Sequence, residues 1–455
     1  MPGSMELRGM RVLVVGLART GAATALFCVG HNAIVTATET REERKLAEIA
    51  TKLREAGVRL ELGGHTEKTF LAQDLIVPSP GVPADNPFLL NARAKGITVW
   101  SEIELAYRFL EGKLIGITGS NGKTTTTTLV HHILRSAGVE SFLAGNVGTP
   151  LISLVEKIAG GTVGVVELSS FQLELVETFR PDIGVFLNLT PDHLDRHKTI
   201  GAYGAAKARL FENQTELDAA VMNLDDDQSQ HYLPKKPQVF WFSRKQRVTQ
   251  GTYLRGGDVF ITGRRGDEFV IKQSEIPLPG AHNVENVLAA VTAARLAGVD
   301  AESIGDAVRS FQGVEHRLEF VAEIRGVRYY NDSKATNVDA TRKALDAFVG
   351  RILIILGGKD KGSDYSVLQD PLRKKAILAL LIGAAASKIE SQITGSVAIE
   401  LAGTLQRAVA IAARQARAGD IVLLAPACAS FDQFQDYEER GRIFKQLVSG
   451  LGNAA

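Results

Sequence analysis

Cysteine is nearly absent: Cys28 and Cys428 are the only two in 455 residues, and each lies in an apolar run. Two thiols cannot make a disulfide framework, so the chain reads as a protein of a reducing compartment, and a cytoplasmic location is expected. An excess of either charge is missing too, since 52 Lys and Arg stand against 51 Asp and Glu, for a formal net charge of +1. A nucleic-acid or membrane-surface partner needs a basic excess, so neither is expected. No apolar run approaches the ~18 residues that a membrane helix requires. The N-terminus carries no signal-peptide pattern, because its first apolar run, Val12 to Val15, turns at once into a Gly-rich loop. What is present, 45% hydrophobic and 23% charged residues, is ordinary globular composition. A single core rarely grows past ~250–300 residues, so this length implies about three domains.

The chain is organised around Gly116-Ile117-Thr118-Gly119-Ser120-Asn121-Gly122-Lys123-Thr124-Thr125. Residues 113–117 read as a buried strand, and residues 126–137 as a helix with Leu129, Val130, Ile133 and Leu134 on one face. A glycine-rich turn between a strand and a helix N-terminus binds phosphate. Its N–H groups point into the loop, the helix dipole adds positive potential, and the lysine reaches the outer phosphates. The Thr124 hydroxyl is placed to ligate Mg²⁺. The usual pattern has a glycine at the position of Ile117; here the spacing is Gly116-x-x-Gly119-x-x-Gly122-Lys123-Thr124.

Ahead of this loop, a strand at 11–15, the turn Gly16-Leu17-Ala18-Arg19-Thr20-Gly21, a helix at 22–29 and a strand at 33–37 form a βαβ unit. With Glu39 about 20 positions on, it imitates a dinucleotide fingerprint, although Ala18 replaces the glycine that lets a pyrophosphate approach. A dinucleotide and another nucleotide-like ligand both remain open at this point. Residues 74–77 run into the proline-rich loop Pro78-Ser79-Pro80-Gly81-Val82-Pro83, at a strand end where open α/β sheets bind ligands. A helix at 102–110 leads to the second domain. There a strand at 162–166 ends in Glu167, either a Mg²⁺ ligand beside the phosphate loop or a cap for the next helix. A strand at 183–187 ends in Asn188-Leu189-Thr190-Pro191-Asp192-His193-Leu194-Asp195-Arg196-His197, a metal cluster or a solvated loop. Lys207, on a helix at 202–211, reads by itself as a surface lysine. Residues 238–272 read as antiparallel hairpins, and a helix introduced by Pro279-Gly280-Ala281-His282-Asn283 runs to Leu296. A third α/β unit begins near Glu315. Its strands near 327–330, 352–356 and 421–424 each end in a polar loop, so the three loops should meet at one sheet edge.

In this order the motifs resemble the Mur ligase family over the whole chain, whose phosphate loop G-[IV]-T-G-[TS]-N-G-K-[ST] is matched by Gly116 to Thr124. Glu-Leu-Ser-Ser-Phe-Gln-Leu-Glu at 167–174, Asn-Asp-Ser-Lys-Ala-Thr-Asn at 331–337 and Pro-Ala-Cys-Ala-Ser-Phe-Asp-Gln-Phe at 426–434 resemble the branch that uses D-glutamate. The resemblance implies three α/β domains. They are a Rossmann-like domain at 1–100, a central P-loop ATPase-type parallel sheet with a small antiparallel sheet at 101–314, and a Rossmann-like domain at 315–455. It implies that ATP phosphorylates the carboxylate of UDP-N-acetylmuramoyl-L-alanine and that the amine of D-glutamate attacks the acyl phosphate, in peptidoglycan precursor synthesis. Gly119, Ser120, Asn121, Gly122, Lys123, Thr124 and Thr125 would hold ATP with Asn283, Asn286, Arg317 and Asp332. Two Mg²⁺ ions would be held by Thr124, Glu167, His193 and a carbamylated Lys207. Leu17, Ala18, Arg19, Thr20, Thr40, Arg41, Ser79, Pro80, Gly81, Asn146 and His193 match positions for the UDP-sugar. Lys334, Thr336, Lys361, Ser430 and Tyr437 match the D-glutamate pocket, where Tyr437 stands in place of the usual phenylalanine and Lys359-Asp360 in place of Asp-Gly. A monomer is expected. Rival readings are a folylpolyglutamate synthase, which should lack the first ~100 residues, an NAD-dependent oxidoreductase, and a nucleotide-binding module without turnover.

Overall fold

Short β-branched runs buried on both faces alternate with helices along the chain, which is the pattern that builds parallel sheets. The computed structural model describes residues 5–452 except 147, 159, 264, 265 and 361, and leaves out the side chain of Asp195. Three sheets form. The first has the spatial order Arg59–Leu62, Ile34–Glu39, Arg11–Val15, Leu75–Pro78, Thr98–Val99, all parallel. Strand order reverses about Arg11–Val15. The loops after Val15 and Pro78 therefore lie side by side at the switch point, where such sheets take ligands.

The second sheet has nine strands, in the order Gly266–Lys272, Asp258–Gly263, Gly251–Arg255, Gln238–Ser243, Ala219–Asn223, Ile183–Phe186, Lys113–Thr118, Val163–Glu167, Ser141–Gly145. Antiparallel pairing is confined to one edge, where Asp258–Gly263 runs against both Gly251–Arg255 and Gly266–Lys272. Gln238–Ser243 departs from the hairpin expectation: it pairs parallel with Ala219–Asn223 and with Gly251–Arg255. The antiparallel part is thus an extension of the central sheet. The third sheet runs Glu319–Ile324, Val327–Asn331, Ile421–Leu424, Ile352–Gly357, Ala376–Ile382, Ala398–Gly403, with only the first strand antiparallel. The first two sheets belong to one compact unit, Met1–Glu275 with Glu285–Arg309, and the third to another, Ile276–Val284 with Ser310–Ala455. Among the described residues, no helix is long and apolar enough to cross a membrane.

Helix Glu102–Tyr107 carries the chain from the first sheet to the second, and Glu104 pins it there. The buried Glu104 carboxylate accepts from the N–H groups of Glu177, Thr178 and Phe179 at 2.8–3.1 Å, from the Thr178 hydroxyl at 2.7 Å and from Arg108 Nε at 2.8 Å. Burial alone raises its pKa, but these donors outweigh burial and hold it below the usual carboxylate value. Stability from this group is present above the unfolded carboxyl pKa of ~4.3 and is lost as pH falls through the lower folded value. Glu104→Gln is expected to lower unfolding stability by about 1.5–3 kcal/mol at neutral pH, since charge-assisted bonds carry roughly that much each. It should also flatten the acid limb of stability, which denaturant titrations across that limb measure directly.

Candidate active site

Glycines let the phosphate loop close on its surroundings. Gly122 caps helix Lys123–Ser136 at φ 83°, and a Cβ there would lie 2.1 Å from the Asn286 Oδ1. Gly119 is likewise pressed against Leu187, whose Cβ a side chain would meet at 2.9 Å. Lys123 bends back over the loop, and its ammonium donates to the carbonyls of Gly119 at 2.8 Å and Ser120 at 2.9 Å. The adjoining Thr124 is buried in the first turn of the helix.

The parallel ladder then sets the acid against this loop. Glu167 pairs with Ile117 on one side and Gly145 on the other, so it ends its strand beside the phosphate loop and next to Asn146. It is 2% exposed; Oε1 accepts from the Asn146 amide at 2.9 Å, and Oε2 is buried with no protein partner. An unpaired buried carboxylate oxygen is costly, and a hard cation bound by oxygens satisfies it. Glu167 does not cap the next helix; Ser169 fills that role, accepting from the Gln172 N–H while Gln172 accepts from the Ser169 N–H.

Lys207 is buried, against its solitary reading as a surface residue. Helix Ile200–Ala208 presents it inward at 1% exposure, where its amine donates to the same Gly119 carbonyl at 2.8 Å and lies 4.4 Å from the Tyr203 ring centroid. Burial first, and the Lys123 charge second, hold its pKa well below the ordinary lysine value, against the opposing pull of Asp192 and Glu167. Two lysines on one carbonyl oxygen cannot both keep a full charge cheaply, and the buried one is driven toward the neutral amine.

His193 sits at φ 52°, half exposed, with its ring edge-on to Phe171 at 5.0 Å and its Nε2 3.6 Å from the Asp192 carboxylate. Among the described residues no three His, Cys, Asp or Glu side chains converge as a metal cluster. His197 is turned to other work: Nε2 lies 2.9 Å from the Ser170 hydroxyl and Nδ1 3.4 Å from Glu174.

On the first sheet, Glu39 is not free for a ribose as a dinucleotide fingerprint requires. Its carboxylate accepts from the Leu17 N–H at 2.9 Å, the Arg41 N–H at 3.1 Å, the Thr40 hydroxyl at 3.2 Å and the Arg41 guanidinium at 2.8 Å. Although burial pushes its pKa up, these donors bring it down to about 2. Glu39 thereby shapes the loops of Leu17 and Arg41, leaving Ala18, Arg19, Thr40 and Arg41 exposed and Thr20 half-buried. Ser79 closes the switch point, its hydroxyl donating to the Gly16 carbonyl at 2.9 Å, while Pro80 is half-buried and Gly81 exposed.

On the third sheet, Val327–Asn331, Ile421–Leu424 and Ile352–Gly357 are neighbours and parallel, so their loops share one edge as expected. The Lys334 ammonium lies 5.6 Å from the centroid of the Tyr437 ring, and Ser430 is buried in the loop that follows Ile421–Leu424. Thr336 donates its N–H to the Lys334 carbonyl at 2.8 Å. The Tyr437 hydroxyl donates to Glu438 at 3.2 Å. Asp332 is buried and its pKa is pushed up to about 7, with Arg317 and the Leu318 N–H opposing. Arg317 Nε is buried without a protein partner. Asn283 donates to the Pro279 carbonyl at 2.7 Å. Lys361 lies outside the described residues.

Three family models match in sequence: the Mur ligase MurD-like N-terminal domain over 10–101, the Mur ligase middle domain over 117–294, and the Mur ligase glutamate ligase domain over 316–428. The chain is 52% identical to the UDP-N-acetylmuramoylalanine–D-glutamate ligase of Koribacter versatilis, with 98% of each covered. It is 52% identical to the ligase of that name from Acidobacterium capsulatum, over 99% of this chain and 98% of the relative. This chain belongs to the Mur ligase family. Among solved structures, the UDP-N-acetylmuramate-alanine ligase of Thermotoga maritima is similar at a TM-score of 0.60 and 19% identity, over 97% of this chain and 100% of that one. The MurF ligase of Thermotoga maritima in complex with ADP gives 0.60 at 16% identity, over 99% and 98%. These two show the shared three-domain α/β fold.

Three residues of this Mur ligase site were not singled out by sequence reasoning. Tyr203 packs its ring on Lys207, four residues before it on the same helix, a spacing that could have suggested the pair. Arg440 is wholly buried and burial lowers its pKa to about 10. It donates to the Ser333 hydroxyl and carbonyl at 2.9 and 2.7 Å and to the Cys428 carbonyl at 3.2 Å, fastening two loops of the third sheet together. Arg196 does the same between the first two sheets. No local signal in the sequence marks either arginine.

Proposed function

We propose that this Mur ligase joins D-glutamate to UDP-N-acetylmuramoyl-L-alanine in the cytoplasm, with ATP cleaved to ADP and phosphate. The whole-length likeness to ligases of that name carries the choice of substrates, and the Lys123–Gly119–Lys207 arrangement opposite Glu167 supports the chemistry. Phosphoryl transfer asks a protein mainly for alignment and charge neutralisation. Lys123 releases the loop carbonyls and reaches the β- and γ-phosphates, with Gly119 to Thr125 around them and Asn286, against Gly122, on the adenine side together with Asn283. The substrate carboxylate takes the γ-phosphoryl group, and ADP leaves. The amine of D-glutamate then attacks the acyl carbon, loses a proton, and phosphate departs with the former carboxyl oxygen.

Thr124, the open oxygen of Glu167, His193 and a carbamate on Lys207 are the groups that would hold two Mg²⁺ ions, which when bound neutralise phosphate charge. A neutral, buried Lys207 amine suits carbamate formation, because the free amine is the form that adds carbon dioxide. Leu17 to Thr20, Thr40, Arg41, Ser79 to Gly81, Asn146 and His193 bind the UDP-sugar; Arg317 and Asp332 are further ATP-binding residues. The domains run 1–100, 101–314 and 315–455, and the enzyme works as a monomer.

Lys334, Thr336, Lys361, Ser430 and Tyr437 receive D-glutamate: cations and hydroxyls for an amino acid with two carboxylates, none of the five being an anion for a second amine. A panel of D-glutamate, L-glutamate, L-lysine, meso-diaminopimelate and D-alanyl-D-alanine, assayed with ATP and the UDP-sugar, should single out D-glutamate. Lys361→Ala should weaken its use roughly ten- to a hundred-fold, as expected for a charge-assisted bond of ~1.5–3 kcal/mol, with little change for the UDP-sugar. Preference for any other amine would refute the pocket assignment.

A further inference from the structure

Arg196 reaches out of the 188–197 stretch and makes four contacts on two different elements. Nη1 donates to the Pro80 carbonyl at 2.9 Å, and Nη2 to the Val82 carbonyl at 3.2 Å, both in the proline-rich loop of the first sheet. Nη2 also donates to the Glu174 carboxylate at 2.7 Å, and the guanidinium lies over the Phe171 ring at 4.0 Å from its centroid. Nε is buried with no protein partner. The other groups gathered here complete one cluster. His197 stacks on Phe171 at 5.5 Å and faces Glu174, and His193 meets the same ring edge-on at 5.0 Å.

We infer that Arg196 is a positioning residue for the sugar-nucleotide substrate, setting the loop 79–82 of the first sheet in register with His193 and Phe171 of the second. The chemistry requires a planar fork, because two carbonyls, a carboxylate and an aromatic face are met at once, and an ammonium cannot do this. Backbone carbonyls do not change with sequence, so the clamp fixes where Pro80 and Gly81 stand whatever their side chains do. The same guanidinium limits how far Phe171, and with it His193, can turn. The consequence for the reaction is selective. Affinity for the UDP-sugar depends on the clamp, whereas ATP on the phosphate loop and the amino acid at the third sheet do not touch it. This inference rests on the proposed function.

The test compares wild type with Arg196→Ala and Arg196→Lys. KM is measured for each of the three substrates, and the dissociation constant of UDP-N-acetylmuramoyl-L-alanine by calorimetry without ATP. The expected result is a rise of roughly ten- to a hundred-fold in KM and in the dissociation constant for the sugar nucleotide, with KM for ATP and D-glutamate unchanged. Arg196→Lys should be nearly as weak, and added guanidinium ion at millimolar concentration should restore binding to Arg196→Ala. If Arg196→Ala does not fold, the same rise in Arg196→Lys is decisive. Unchanged sugar-nucleotide affinity in a folded variant, or a parallel loss for all three substrates, would overturn the inference while leaving the proposed function intact. A wild-type protein that neither binds nor turns over the sugar nucleotide would overturn both.

Discussion

Lys123→Ala is expected to abolish turnover, with a fall of several hundred-fold or more, while the melting temperature stays near wild type. A preorganised donor aimed at charge developing in the transition state is worth ~3–4 kcal/mol. In the free enzyme that donor satisfies the Gly119 and Ser120 carbonyls. Those charge-assisted bonds are made by a partly exposed lysine, where solvent weakens them to ~1 kcal/mol each, and part of that is offset by removing a positive charge beside Lys207. Catalysis should therefore collapse where stability barely moves. Steady-state rates beside a thermal melt check both halves, and near-normal activity would remove the phosphate loop from the mechanism.

Lys207→Ala should lose activity to a similar extent, for the different reason that an anionic ligand disappears. Added short carboxylates such as acetate or formate should return part of it by occupying the vacated space. Full activity of Lys207→Ala without bicarbonate or any additive would exclude the carbamate. Stability moves the other way. The folded Lys207 pKa lies below the unfolded value of ~10.4, so the unfolded chain binds the extra proton between the two. Stability thus falls as pH drops from ~10.4 toward the folded value, and levels off below it. Lys207→Met removes that slope. Melts in buffer free of carbon dioxide should show it at least as stable as wild type near neutral pH, although inactive.

The phosphate loop and Glu167 were legible because each is a local pattern, an apolar strand ending in its functional group, and parallel pairing brings neighbouring strand ends together. The helix expected at 126–137 begins three residues earlier, at Lys123. The run Thr124 to Thr128 is poor in helix propensity, yet the loop anchors the helix from Lys123, and the Thr127 hydroxyl folds back onto the Lys123 carbonyl at 2.7 Å. Residues 238–243 alternate as hairpin strands do, but alternation does not distinguish parallel from antiparallel, and the neighbour at Ala219–Asn223 decided it. The buried side of Lys207 and the contacts of Arg196 and Arg440 depend on residues 88, 116 and 107 positions away in the chain, beyond the reach of any local pattern.

The most direct test is ADP release from ATP by the purified wild-type enzyme, with UDP-N-acetylmuramoyl-L-alanine and D-glutamate supplied singly and together. Sustained, stoichiometric release only when both are present, with the glutamyl product appearing at the same rate, is the predicted result. Release that needs neither substrate, or none with both, would contradict the assignment of this chain as the D-glutamate-adding ligase.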